Sequence, residues 1–134
     1  MKILIAIESV LLDDNNQPLK NAIEKMNKWV EQGAEIFYLT SAVKFTEVKA
    51  AKDDLKNANF PGDAVQARRE GESFAEVILN VKPEILIVPE NAVELTADSG
   101  IPPIIVKAGN GIELLPDSLD DLKYFGKKEE IAKE

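Results

Sequence analysis

The chain contains no cysteine and no histidine. The first absence excludes disulfides, thiol nucleophiles and thiolate metal sites. The second removes the commonest general base and the commonest zinc ligand. Bases are scarce beside acids, 16 against 24, for a formal net charge of −8. Proteins that grip a phosphate backbone need a basic face to neutralise it, so nucleic acid is excluded as a partner, although a locally basic pocket is not. No stretch reaches the ~18 to 20 apolar residues that a membrane-spanning helix needs, and the N-terminus lacks a signal-peptide pattern. The expectation is a soluble cytoplasmic protein with no membrane partner.

What is present is enough for one domain with a real core and too little for two, at 134 residues. A single domain over residues 1–134 is expected, with the mostly charged residues 126–134 as a frayed tail. The chain opens on KILIAIES, in which Ile3 to Ile7 is a continuous apolar run that stops at Glu8 and Ser9. Such a run reads as a strand buried on both faces. Val10 to Pro18 is rich in turn formers and suits a loop or short flap, and Pro18 fits the first turn of a helix. Leu19, Ile23, Met26 and Val30 follow as one apolar stripe, and Gly33 stands where a C-terminal cap would.

Ile36 to Leu39 reads as a second buried strand, ending at Thr40 and Ser41. Phe45, Val48 and Leu55, with Ala51 and Ala58, mark a second amphipathic helix that Phe60-Pro61-Gly62-Asp63 breaks. Ala64 to Ala67 is an edge-strand candidate. Ser73 with Glu76 forms a capping-box pattern before a third helix carrying Phe74, Val77, Ile78 and Val81. Ile85 to Val88 is the next buried strand and Ile104 to Val106 the last, with a single helical turn between them and a turn at Gly109-Asn110-Gly111. Leu119, Leu122 and Phe125 suggest a closing helix behind Ser118.

Strands alternating with helices mean repeated βαβ units and a parallel sheet with helices on both faces. The fold class is therefore α/β, a three-layer α/β/α Rossmann-like sandwich. The five-stranded parallel sheet takes the order 5-4-1-2-3, with the most apolar strands at its centre. Chemistry in such sheets gathers beyond the carboxyl ends of the strands at the switch point. Here that gathers Ala6, Glu8, Thr40 and Glu90.

These residues resemble the motifs of the haloacid dehalogenase-like superfamily, many of whose members are magnesium-dependent phosphohydrolases. In that family a buried strand ends in Asp-x-Asp, the first a nucleophile and the second an acid and base. A second strand ends in Thr or Ser, a basic residue precedes a later helix, and a further strand ends in paired acids that complete a metal site. The resemblance covers nearly the whole chain and places Ala6 at the nucleophile position and Glu8 at the acid position. Thr40 and Ser41 match the phosphoryl-holding motif, and Arg68 or Arg69 the basic residue. Glu90 and Glu94, in the stretch that begins VKPEILIVPEN, match the metal-binding acids with one methylene more. No insertion between Thr40 and Arg68 is large enough for a cap domain.

A methyl group cannot attack phosphorus, so Ala6 closes the covalent route. The resemblance thus implies a degenerate, uncapped, non-catalytic member, a pseudoenzyme that binds a small anion or a protein partner or assembles as a homodimer. The alternative is a weak Mg²⁺-dependent phosphohydrolase working through Glu8 and Glu90, with Mg²⁺ needed only if activity remains. Each residue also has a plainer reading. Glu8 is a vestigial acid or a solvated strand-end residue. Thr40 and Ser41 hold an anion or cap a helix. Arg68 and Arg69 bind phosphate or pair with Glu70 and Glu72, and Glu90 and Glu94 hold a cation or are exposed loop carboxylates.

Overall fold

The computed structural model describes residues 1–62, 64–107 and 111–132. Five strands form one sheet: β1 (Lys2–Ala6), β2 (Glu35–Leu39), β3 (Val65–Gln66), β4 (Ile85–Pro89) and β5 (Ile104–Val106). All four pairings are parallel, and the order across the sheet is β3-β2-β1-β4-β5. This is the expected order 5-4-1-2-3 read from the other edge. The three central strands are the apolar runs, because a strand covered on both faces has no side on which to place polar groups.

Among the described residues the sheet is accompanied by the helices α1 (Ala22–Glu31), α2 (Phe45–Asn57), α3 (Phe74–Val81), the short α4 (Val93–Thr96) and α5 (Leu119–Ala132). Strand alternation divides the core in two. Ile3, Ile5, Tyr38 and Ile87 pack with Met26, Trp29, Leu55 and Leu122 on one face. Leu4, Leu86 and Val88 pack with Phe74, Val77, Ile78 and Val81 on the other. Helix α3 begins as its capping-box pattern predicts, with the Ser73 hydroxyl accepting from the Glu76 N–H at 3.2 Å. Ser118 likewise accepts from the Asp121 N–H ahead of α5, at 3.4 Å.

Three local expectations are corrected. Pro18 does not open α1: it bridges Leu12 in a small flap, and Asn21 in the left-handed region separates that flap from the helix at Ala22. The Asp13 carboxylate organises the flap, accepting from the N–H groups of Asn15 at 2.8 Å and Gln17 at 3.0 Å. The buried face of α1 is also rotated, to Ala22, Lys25, Met26 and Trp29, while Val30 is exposed. The segment before α5 causes this rotation, since it accepts the Trp29 indole N–H at Pro116 and the Lys25 ammonium at Glu113 and Leu115. Finally, Phe45 is 82% exposed, and on α2 the buried residue is Leu55. Of the expected Gly109-Asn110-Gly111 turn, the first two residues lie outside the described residues, as does Asp63. Gly111 has φ +69, and a Cβ there would stand 3.1 Å from that of Leu19.

Candidate functional site

At the carboxyl end of the sheet β1 stops at Ala6, in register with Leu39 of β2. One further rung forms, the Ile7 N–H donating to Leu39 O at 2.9 Å. The chain then turns sharply: Leu11 and Leu12 both donate back to Ile7 O, at 3.0 and 3.2 Å, and Ser9 takes φ 68. This turn swings Glu8 toward the end of β2.

There the Glu8 carboxylate is held by two donors. The Ser41 N–H donates to Oε1 at 2.6 Å and the Thr40 hydroxyl to Oε2 at 3.2 Å. Thr40 is buried, and its oxygen accepts the Ala42 N–H at 3.1 Å in return. Neither residue caps α2: that position falls on Lys44, which makes no side-chain cap bond. The two expected anion-holding groups are thus brought together with the expected acid, and they bind it.

Beside them lies a cavity of about 330 Å³. Ala6, Leu39, Phe74, Val88 and Pro89 give it apolar walls, while Glu8, Ser41 and Arg68 bring polar groups to it. The Arg68 guanidinium lies 4.1 Å from the centre of the Phe74 ring and donates to Ser41 O at 3.3 Å. Its Nε is buried and makes no hydrogen bond among the described residues. Arg68 lies just beyond the short edge strand β3 and Phe74 is the first residue of α3. The two meet because the loop between them folds over the end of the sheet, with Arg69 exposed and its backbone N–H donating to Glu72 Oε1 at 3.0 Å. Glu8 also borders a second hollow of about 240 Å³ on the flap side, beside Asp13, Asp14 and Asp54.

Glu90 and Glu94 are placed elsewhere. Both are exposed and neither lines the cavity; Pro89, Asn91 and Ala92 stand at that wall instead. Alternation would aim Glu90 to the same side as Val88, but β4 ends at Pro89 and the chain winds into a 3₁₀ turn over Glu90–Ala92. That turn cancels the two-residue period on which the expectation rested. Among the described residues no group of three or more Asp, Glu, His or Cys side chains is positioned to hold a metal ion. Mg²⁺ requires near-octahedral oxygen ligands at ~2.0 to 2.1 Å. With a methyl group at Ala6 and the two glutamates outside the cavity, this donor set does not fit it. Sequence reading also missed Phe74 as a wall of the site. Its place in an apolar helical stripe was its only signal, and that signal marks core.

Comparison with solved structures bears on the architecture as a whole. The chain is similar to the crystal structure of D,D-heptose 1,7-bisphosphate phosphatase from Burkholderia thailandensis, with a TM-score of 0.59. The match covers 95% of this chain and 96% of that one, at 15% sequence identity. The chain shares the overall fold of that phosphatase. At that identity the likeness concerns the fold alone, and function must be argued from the site. No protein-family model matches the sequence, and no curated protein matches it either. In an open parallel α/β sheet of this kind the cavity occupies the usual position for a ligand, beyond the carboxyl ends of the central strands.

Proposed function

We propose that this protein is a non-catalytic haloacid dehalogenase-like domain that binds a small anionic ligand in the cavity beside Ala6, with Arg68 as the charge-bearing contact. The observation that carries this reading is the pairing of Glu8 with Thr40 and Ser41 next to the Ala6 methyl. A phosphohydrolase of this architecture needs a nucleophile where Ala6 stands and free donors where Thr40 and Ser41 stand. Here the first is a methyl group and the second are engaged by the protein's own carboxylate. The cavity keeps the remaining features of a ligand site, with apolar walls and a few polar groups converging at one end.

The deciding experiment is an assay of the purified protein against a panel of phosphate monoesters, with and without Mg²⁺. The expected result is turnover indistinguishable from the buffer control under both conditions. Turnover above background that disappears in Glu8→Gln would overturn the non-catalytic reading.

A further inference from the structure

The walls of the cavity narrow the anion it takes, given the binding reading above. Arg68 is the one cation and Glu8 the one anion among the described residues that line it. A phosphate dianion entering would face a single guanidinium and, in the same lining, a like charge. The donors that would wrap a tetrahedral oxyanion, the Thr40 hydroxyl and the Ser41 N–H, already point at Glu8. The Thr96 hydroxyl is engaged as well, donating within its own turn to Ala92 O at 3.2 Å and Val93 O at 3.1 Å.

Arg68 itself favours a planar partner. One face of the guanidinium is covered by the Phe74 ring, so its N–H groups are presented along an edge. An edge of parallel N–H donors matches the two oxygens of a carboxylate. The buried Nε has no acceptor among the described residues, and an orphaned buried donor is costly. A ligand carboxylate that draws the guanidinium edge into the cavity supplies the missing acceptor. Most of the remaining lining is apolar, with Ser9 and Asn91 as further polar residues, and the volume is at the small end for ligand sites, about 330 Å³.

We infer that the cavity binds a small monocarboxylic acid with a compact apolar body, its carboxylate on Arg68 and its body against Phe74, Leu39 and Val88. Glu8 is the specificity residue: as an internal anion on the Thr40 and Ser41 donors, it excludes phosphate.

The test compares two ligands with the same body, benzoate and phenyl phosphate, titrated into the full chain by calorimetry and by amide and side-chain NMR. Benzoate is expected to bind at least about tenfold tighter, equivalent to about 1.4 kcal/mol, with shifts centred on Arg68 and Phe74. Arg68→Lys should lose that preference, because an ammonium cannot reproduce the edge. Glu8→Gln should strengthen phenyl phosphate binding severalfold and narrow the gap. Phenyl phosphate binding as tightly as benzoate to the unaltered protein overturns the ligand class while leaving anion binding intact. Binding of benzoate with shifts away from Arg68 overturns the assignment of the site. Binding of neither ligand at millimolar concentration overturns this inference, and the anion-binding reading falls with it. The comparison on the unaltered protein needs no variant to fold.

Discussion

The Glu8 carboxylate accepts the Ser41 backbone N–H at 2.6 Å, across 33 residues of sequence. That contact ties the turn after β1 to the end of β2 at the mouth of the cavity, and the Thr40 hydroxyl reinforces it. Removal of Thr40 tests its structural worth. Thr40→Val keeps the shape of a buried side chain but leaves the Ala42 N–H and one Glu8 oxygen without their partner. Urea denaturation should give a loss of about 1–3 kcal/mol, the penalty for orphaned polar groups. An unchanged midpoint would mean that water replaces the hydroxyl at no cost.

Ala6→Asp places a carboxylate at the end of β1, where the sequence resemblance expects one, and should not create a metal site. Ala6 is 9% exposed, so the new charge sits in a largely apolar setting next to Glu8. A fall in stability of about 3–5 kcal/mol is expected, as for an uncompensated buried charge. Millimolar Mg²⁺ should leave the melting temperature of the variant where it was, because Glu90 and Glu94 stand outside the cavity. Recovery of the melting temperature with Mg²⁺ would show that these acids can converge after all.

Phe45 and Leu55 share α2 but not its buried face. Phe45→Ala should change stability by less than about 0.5 kcal/mol, as surface substitutions do, since the ring is 82% exposed. Leu55→Ala should cost about 2–5 kcal/mol, the range for truncating a packed leucine. Chemical denaturation of the pair separates the two, and equal losses would place Phe45 in a contact that the structure lacks.

Acid should loosen the join between α1 and the segment before α5. Lys25 and Lys28 bond the Asp117 carboxylate at 2.8 and 3.1 Å and hold its pKa below the ordinary carboxylate value. A depressed folded-state pKa contributes stability that is fully present above the unfolded value and is lost as pH falls through the folded one. The loss should therefore set in below about pH 4 and be absent from Asp117→Asn, as read from melting temperatures between pH 7 and pH 2. Parallel acid profiles for the two proteins would count against the assignment.

Alkali should act through Tyr38. Burial pushes its phenol well above the ordinary tyrosine value, and its hydroxyl donates to Pro61 O. A folded pKa raised above the unfolded one contributes stability that is present below the unfolded value, about pH 10, and lost as pH rises past it. Tyr38→Phe should remove this alkaline sensitivity and lower neutral-pH stability by about 1 kcal/mol. An identical alkaline limb in the variant would move the cause elsewhere.

Much of this molecule is legible in its sequence, and the legible parts share a cause. The runs at Ile3, Ile36 and Ile85 are apolar on consecutive residues, which only a strand covered on both faces requires, so the order of the sheet follows from composition. The N-cap at Ser73 is equally local, and its hydroxyl accepts the Glu76 N–H as the pattern predicts. Errors arise where a residue's setting depends on a distant segment. Val30 of α1 is exposed because Trp29 and Lys25 turn toward residues 113–117. Glu90 leaves the cavity because a proline-led 3₁₀ turn interrupts the strand period.

The opening strand carries the same division. Sequence alone determined that Ile3 to Ile7 is buried, that a methyl group stands at Ala6 and that an acid follows two residues later. Those are properties of side-chain type and period, fixed by covalent order. Only the tertiary structure decided that Glu8 turns onto Thr40 and Ser41, and that Arg68 stacks on Phe74 with one nitrogen left unpaired among the described residues. Hydrogen bonds and stacking depend on direction over a few ångströms. No periodicity along the chain encodes which distant partner will stand within that reach.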